Sequence, residues 1–410
     1  MSEIDAVRLE SEVYPVVKIH AFGEIKNGGT PSSDEANWDG DIPFITPPDL
    51  NGLDSKSVAS VGRTITELGL KQGSNLVENG VIISGRAPVG YVGVVVTPSA
   101  FNQGCKAICT AQNHRYVAYA LTASKSNLQV LANGTTFSEI SSAALANYAI
   151  PLPPLEIQRR IADYLDRETA EIDAAVADLD RYLELLEKRR RALVHETLAL
   201  RKGPGSELSI SDSCRGRVGF VTRLLRRGIS PSYVDEGVPV INQKCVRPGG
   251  FLDIDSCRFH DSGARNIGLD LTIQPGDTLI NSTGTGTLGR SCTVGEISVP
   301  TTWDSHVTLV RPNTDMADPG YLGWTILSQE SKLVEFSTGS TNQIELSRDT
   351  IFNLDFVSIP LELQKEVSTY LDREAAEIDS LIAESTTLRD LLLKRRSALI
   401  TEVVTGRKQV

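Results

Sequence analysis

Between residues 155 and 200 the chain has neither glycine nor proline, and its apolar positions fall on one helical stripe. Ile161, Leu165, Ile172, Val176, Leu179, Leu183, Leu186 and Leu193 follow one another at intervals of four, seven, four, three, four, three and seven. That spacing predicts a long helix with a heptad seam. Pro151, Pro153 and Pro154 precede it and Gly203-Pro204-Gly205 closes it, so residues 155–203 are assigned to it. At 1.5 Å per residue, about 45 residues make a rod of roughly 65–70 Å. A second, less regular stripe runs through Leu371, Ile378, Ile382, Leu388, Leu392 and Leu399, with Ser385 and Arg389 interrupting it. It predicts a second long helix within 360–410. The expected seam comprises Ile172, Val176, Leu179, Leu183 and Leu186 from the first helix, and Ile378, Ile382, Leu388 and Leu392 from the second. Two long helices with matching seams predict an antiparallel coiled-coil pair. Two helices that merely face a core are the plainer alternative.

Residues 1–154 and 204–359 are patterned differently. They are rich in Gly, Pro, Ser, Thr and Asn and carry short β-type runs, among them GVIISG (80–85), YVGVVV (91–96), GDTLINS (276–282) and HVTLV (306–310). Short helices are expected near 113–122 and 319–335. Each stretch reads as an α+β domain with a mixed sheet, some helices and large loops.

The two halves are related. YLDRETAEID (164–173) returns as YLDREAAEID (370–379), 206 positions on. Pro154-Leu155-Glu156, Gln158, Lys188-Arg189-Arg190 and Ala192-Leu193 all recur at that offset. Upstream the offset drifts. Thr30-Pro31 aligns with Ser230-Pro231, Ile42-Pro43 with Val238-Pro239, and the Gly90 turn with Gly289. The chain is therefore one module written twice, variable domain then near-fixed helix, with a pseudo-twofold relation expected between the copies.

Composition narrows the chemistry. Net charge is −11, and the four segments 1–154, 155–203, 204–359 and 360–410 carry −4, −1, −5 and −1. Any nucleic-acid contact must therefore come from local patches. The acidic start MSEIDAVRLESE is not expected to be a leader, and apolar runs such as VGVVV are too short to span a bilayer. A cytoplasmic protein with no membrane association is expected. The six cysteines include no CxxC pair, so reduced thiols are expected, with no disulfide, metal site or cofactor.

Catalytic motifs are weak. Gly284-Thr285-Gly286-Thr287-Leu288-Gly289 matches GxGxxG, but the β-type Arg290–Val294 follows where a dinucleotide site needs a helix. A hairpin loop is the simpler reading. Pro48-Asp49 with Asp54-Ser55-Lys56 matches a magnesium-dependent nuclease pattern, two carboxylates for the ion and a lysine beside them. Four residues including Asn51-Gly52 separate the carboxylates, which suits a turn better than two strands. The five histidines form no HExxH, and no P-loop or adenine-N6 methylation tetrapeptide occurs. The chain reads as non-catalytic.

Basic residues on polar, Gly-rich loops remain. In the first half these are Lys26, Asn27, Thr30, Arg86 and Lys106. In the second they are Arg223, Arg226 and Arg227, leading into Ser230, Ser232 and Tyr233, with Lys244 and Arg247 beyond. Cations among amides and hydroxyls suit phosphate anchoring together with base-edge hydrogen bonding. Lys188–Arg191 and Lys394–Arg396 read as solvated helix faces, with a helix–helix or partner contact as the other reading.

These residues carry a resemblance. GGTP (28–31) with GDIPFIT (40–46), and SPSYVDEGVPVINQKCVRPG (230–249), resemble the start of a target recognition domain in type I restriction-modification specificity subunits. IPLPPLEIQRRIADYL and SIPLELQKEVSTYL resemble the beginnings of that family's two conserved helices. The likeness runs through essentially the whole chain, with GISP (228–231) where GGTP would stand. It implies two target recognition domains, 1–154 and 204–359, joined by the antiparallel helices 155–203 and 360–410. It further implies a non-catalytic subunit that reads a split, asymmetric site in double-stranded DNA and docks two adenine methyltransferase (modification) subunits. Whether ATP-dependent restriction subunits join is left open. A magnesium-dependent nuclease using Asp49, Asp54 and Lys56, and a coiled-coil adaptor with no DNA role, stand as alternatives.

Overall fold

The structure, a computed structural model, describes residues 8–132, 139–199, 203–204, 215–261, 263, 267–337 and 345–410. The two repeated phrases lie in two helices of equal length, Leu155–Leu198 and Leu361–Val404, 44 residues each. The chain forms two compact units, residues 1–180 with 386–410, and residues 181–385. Each unit thus holds one variable domain, the N-terminal part of the long helix that follows it, and the C-terminal part of the other long helix.

In the first unit the strands are β1 (Val16–Lys18), β2 (Gly23–Asn27), β3 (Trp38–Ile45), β4 (Thr64–Ile65), β5 (Asn75–Val77), β6 (Gly80–Ser84), β7 (Val92–Val95), β8 (Ser99–Phe101), β9 (Cys105–Thr110) and β10 (Ala149–Pro151). They form sheets ordered β1-β10, β2-β9-β6-β7 and β4-β3-β8-β5, with β3 and β8 parallel. The apolar run of β6 is buried on both faces, which explains why it does not alternate with polar residues. Val81 and Ile83 pack with Tyr116, Val117 and Leu121 of the helix His114–Ala123 and with Ile161 and Leu165 of the long helix. Ile82 packs on the other side with Ile45, Leu50 and Phe101.

The second unit repeats this plan. Its strands are β11 (Arg215–Arg217), β12 (Thr222–Arg227), β13 (Tyr233–Val234), β14 (Val238–Ile241), β15 (Arg258–His260), β16 (Thr278–Asn281), β17 (Ser291–Thr293), β18 (Thr302–Trp303), β19 (Val307–Pro312) and β20 (Asp355–Val357). The sheets run β11-β20, β12-β19-β16-β17 and β13-β15-β14-β18, and β14 and β18 are parallel as β3 and β8 are. The GxGxxG stretch is the turn between β16 and β17, with Gly284, Gly286 and Gly289 at positive φ. The expected helix near 319–335 is two helices, Pro319–Leu327 and Glu330–Ser337. Cys245 and Cys257 are unbonded with their Sγ atoms 3.8 Å apart, and Cys214 lies outside the described residues.

The repeated phrase is explained residue by residue within each unit. Gln158 donates to the Pro153 carbonyl at 2.8 Å and accepts the amide of Asn113, the cap of the helix His114–Ala123, at 3.1 Å. Gln364 donates to Ile359 at 2.9 Å and accepts from Asp318, the cap of Pro319–Leu327, at 2.9 Å. Asp166 accepts the Tyr119 hydroxyl at 2.8 Å, and Asp372 accepts the Trp324 indole N–H at 2.8 Å. Leu165, Ile172, Leu371 and Ile378 are buried. These residues recur because each copy must seat its domain on its helix in the same way.

The helix contact within each unit is antiparallel. In the first, Arg396 Nε meets Asp173 at 2.8 Å, and Arg389 meets Asp180 at 3.4 Å, so seven residues forward on one helix are seven back on the other. In the second, Arg190 Nε meets Asp379 at 2.8 Å. Arg190 and Arg396, and Asp173 and Asp379, are repeat counterparts. Reading both KRR runs as solvated misses this, because an arginine stem buries well while its planar head finds a carboxylate. The seam also differs from expectation at Leu388, which is 50% exposed. The second helix buries or half-buries Leu371, Ala375, Ile378, Ile382, Ser385, Arg389, Leu392 and Arg396, an unbroken alternation of four and three. Polar Ser385 and Arg389 hold seam positions, and Leu388 lies one residue off the stripe. Ile172, Leu186 and Ile378 are buried, while Val176, Leu179, Leu183, Ile382 and Leu392 are half-buried.

Candidate nucleic-acid interface

In both units the end of the first strand of the main sheet, the end of the third and the start of the fourth meet at one edge. The backbone there is the same twice. The amide of Gly28 donates to Cys105 and that of Gly228 to Val307, each at 3.3 Å. Ile140 donates to Gly85, and Leu346 to Ser282, each at 2.8 Å. Gly90 donates to Ser84 at 3.0 Å, and Gly289 to Asn281 at 2.9 Å. The alignments of Thr30 with Ser230, Ile42 with Val238 and Gly90 with Gly289 agree with this frame.

On that shared frame the side chains differ. In the first unit, Asn27 at the end of β2 accepts from the Lys106 ammonium at 3.1 Å and from the Ser142 hydroxyl. Lys106 is only 5% exposed, and burial pushes its pKa below the ordinary lysine value. It orients Asn27 and offers no free charge to solvent. Arg86 pairs with Glu139 at 2.9 Å. Exposed Thr30 donates to Gln103, and Lys26 is half-buried.

In the second unit, Arg227 occupies the place of Asn27 and is held by Glu345 and by the Leu346 carbonyl at 2.9 Å. Arg226 pairs with Asp270 at 3.2 Å and Arg247 with Asp253 at 2.7 Å. Tyr233 donates to Asp304 at 3.4 Å beneath the Arg258 guanidinium, 3.5 Å from the ring centre. Burial, first of several causes, raises its pKa above the ordinary tyrosine value. Ser230 and Ser232 are exposed, and the Ser232 amide donates to His260 Nδ1 at 3.0 Å. Arg223 and Lys244 are exposed, with no side-chain partner among the described residues. Four of the arginines singled out from sequence are thus already neutralised by carboxylates, while exposed Arg223 and Lys244 and half-buried Lys26 have no carboxylate partner among the described residues.

Sequence reasoning missed three features, one at the edge of the second unit and one in the small sheet of each unit. His306 Nδ1 lies 2.8 Å from Thr283 Oγ1, and Gln243 Nε2 donates to that hydroxyl and to the Thr283 carbonyl, each at 2.6 Å. Arg63 lies over the Trp38 ring at 3.6 Å, in the small sheet of the first unit. Arg258 over Tyr233 is a similar pair in the small sheet of the second. The stacked partners are far apart in sequence and no motif announces them.

The nuclease-like triplet has other work. Asp49 caps a turn, accepting from the Thr46 amide at 2.8 Å and the Gly62 amide at 2.9 Å. Lys56 pairs with Asp173 at 2.9 Å, and Asp54 lies 3.8 Å from Arg396. All three serve the turn and its attachment to the helices. Among the described residues no group of three or more His, Cys, Asp or Glu could hold a metal ion, and no helix is long and apolar enough to cross a membrane.

Fold and edges together define a protein made of one α+β module used twice, with a different polar end on each copy. Residues 12–177 match the family model described as the type I restriction modification DNA specificity domain. The chain is 31% identical over 182 residues to the type I restriction enzyme MjaIX specificity subunit of Methanocaldococcus jannaschii, covering 43% of this chain and 41% of that one. It is 26% identical over 180 residues to the EcoR124I/EcoR124II specificity subunit of Escherichia coli, covering 41% and 44%. Each match spans less than half the length of the relative. A solved chain from a study of complex assembly and conformational transition of the type I R-M system shares the fold, with a TM-score of 0.71 at 15% identity, covering 97% of this chain and all of that one. Over the matched stretch the chain is thus similar to the type I restriction-modification specificity subunits, the family its motifs resemble.

Proposed function

We propose that this chain is the sequence-specific DNA-binding subunit of a type I restriction-modification enzyme. It reads a bipartite, asymmetric site in double-stranded DNA and docks two adenine methyltransferase subunits. The observation that carries this reading is the duplicated edge, one backbone frame bearing Asn27, Arg86 and Glu139 in one copy and Arg227, Thr283 and Glu345 in the other. Two different half-sites need two different readers on one scaffold, and two identical partners need two equivalent helix surfaces. The domains 1–154 and 204–359 would each take one half-site. Helix length would set the spacing between them, about two turns of B-DNA for a rod of this length. The net charge of −11 then requires that partner subunits supply much of the positive surface around the DNA.

The roles divide. In the second unit the exposed Arg223 and Lys244 would contact phosphates. The held groups, Asn27, Arg86, Arg227, Gln243 and His306, are oriented to present donors and acceptors to base edges. Replacing both Arg223 and Lys244 by alanine should lower the slope of log affinity against log salt by about 2, at roughly 0.9 per phosphate contact, without changing the sequence preferred. A slope unchanged from the unaltered complex rules out those two contacts. Exchanging residues 1–154 for the first domain of another member should change one half-site and leave the other intact. Both half-sites surviving the exchange unchanged would refute the reading.

A further inference from the structure

Each unit ties the turn after one strand of its small sheet to the start of a neighbouring strand, at the same place but with different chemistry. In the first unit Asp49 makes the tie, accepting the Thr46 amide at 2.8 Å and the Gly62 amide at 2.9 Å. The strand registers set Cys245 against Asp49 and Cys257 against Gly62. Pro43 faces Thr64 across β3 and β4, and Pro239 faces Phe259 across β14 and β15. The amides of Asp49 and Cys245 donate to Thr46 and Asn242, each at 3.0 Å. The Asn242 amide in turn donates to Cys245 Sγ at 3.4 Å, as the Thr46 amide does to Asp49. The second contact of Cys245 is the Cys257 sulfur, 3.8 Å away. A carboxylate and an amide in one copy are thus two thiols in the other.

The setting favours reaction between these two sulfurs. Cys245 is buried and Cys257 half-buried. The Cys257 thiol first, and the Asn242 amide besides, hold the Cys245 pKa below the ordinary thiol value against the effect of burial. The same contact raises that of Cys257, so the proton between them rests on Cys257. A thiolate therefore occupies the place that a carboxylate fills in the first unit. Burial is the main cause that pushes up the thiols of Cys105, Cys109 and Cys292, and none of these has a sulfur partner among the described residues. The pair also sits between groups at the edge and small sheet of its unit. Gln243, which holds Thr283, and Lys244 directly precede Cys245, and Arg258, stacked on Tyr233, directly follows Cys257.

We propose that Cys245 and Cys257 form a peroxide-sensitive switch, closing a reversible disulfide that displaces Gln243, Lys244 and Arg258 and weakens the hold of the second unit alone on its half-site. Its effect on DNA rests on the function proposed above; the chemistry does not. Hydrogen peroxide is the oxidant. Cys257, the more accessible sulfur, passes its proton to the Cys245 thiolate and attacks one peroxide oxygen. The O–O bond breaks, hydroxide leaves, and Cys257 becomes a sulfenic acid. The Cys245 sulfur then attacks that of Cys257. The S–S bond forms, the S–O bond breaks, and the oxygen leaves as water with the Cys245 proton. Two electrons pass from the sulfurs to peroxide, and solvent protonates the first hydroxide to a second water. The sulfurs must close from 3.8 Å to about 2.05 Å, and the Asn242 amide loses its anionic acceptor. Asp49 and Gly62 cannot follow this course, so the first unit is unaffected.

The test exposes the full reduced chain to hydrogen peroxide without denaturant, then alkylates and digests it. A peptide linking Cys245 to Cys257, two hydrogens lighter than the reduced pair, should dominate and should vanish on treatment with dithiothreitol. Amide exchange in the oxidised chain should change at residues 242–246 and 257–260 and stay as it was at 46–50 and 62–65. With modification subunits added, affinity for a duplex carrying the motif that the complex methylates should fall at least threefold on oxidation and recover on reduction. Cys257→Ser should bind as the reduced chain does and ignore peroxide. If that variant does not fold, Cys257→Ala carries the same expectation. Linkage through another cysteine, or oxidation of these two without linkage, would overturn the site. A linked pair with unchanged exchange and affinity would overturn the switch. If the linkage and the exchange changes appear but the reduced complex binds no DNA, the DNA-binding reading fails and the disulfide site stands.

Discussion

Replacing Asp173 by alanine should destabilise the first unit by about 2–3 kcal/mol. Arg396 is 7% exposed on its side chain and its head is matched by Asp173 at 2.8 Å. Without that carboxylate the guanidinium keeps, among the described residues, only Asp54, at 3.8 Å. Breaking a buried pair by removing one partner costs about 3–5 kcal/mol, and the figure is lowered here because Asp173 is 23% exposed. For a unit of this size the loss corresponds to a fall in melting temperature of roughly 5–10 °C. Calorimetry would read it as an earlier first transition. Replacing Asp173 and Arg396 together by apolar residues should restore part of the loss, since the orphaned charge is then gone. The counterpart Asp379→Ala should cost less, because Arg190 also donates to the Gly249 carbonyl at 2.8 Å. An Asp173→Ala chain that melts like the unaltered one would show that this pair does not hold the helices.

Gly28→Ala and Gly228→Ala should each cost about 3–5 kcal/mol, among the largest effects of any single methyl group in this chain. A Cβ on Gly28 would lie 1.8 Å from the Asn102 carbonyl oxygen, and one on Gly228 2.0 Å from that of Trp303. Both obstacles are backbone, so no side chain can rotate away. The amides of these glycines also donate at the edge, to Cys105 and Val307. The strand end must therefore move, carrying Thr30 in one unit or Ser230 and Tyr233 in the other. Hydrogen exchange should show loss of protection at residues 27–29 or 227–229 in the altered unit alone. If the edge is the reader, Gly28→Ala should weaken recognition of one half-site and Gly228→Ala that of the other. Normal protection in either variant would contradict the close approach.

These two cases mark where the sequence was readable. Gly28 and Gly228 stood beside Thr30-Pro31 and Ser230-Pro231, so their equivalence was visible, although the backbone they approach was not. The long helices were legible because a period of three and four over 44 residues has no competing explanation. The strands β6, β7, β16 and β19 were legible as β-branched runs. Their order in the sheets was not, because pairing depends on contacts between distant segments. The same limit applies to charge. Arg86 and Glu139 are 53 residues apart, and Arg227 and Glu345 118 apart, so nothing local shows that these arginines are already paired. Lys106 looked like a surface cation and is buried, because it sits in β9 between Asn27 and the core. Leu388 looked like a seam residue because it is a leucine, whereas Ser385 and Arg389 keep the four-three interval.

In the proposed role this chain chooses where a methyltransferase acts. Long-read mapping of methylated adenine across the source genome, with and without this gene, reads that choice out. One bipartite motif should lose its methyl mark when the gene is removed, with two different half-sites at a fixed spacing. Unchanged methylation, with the partner genes shown to be expressed and active, would contradict it.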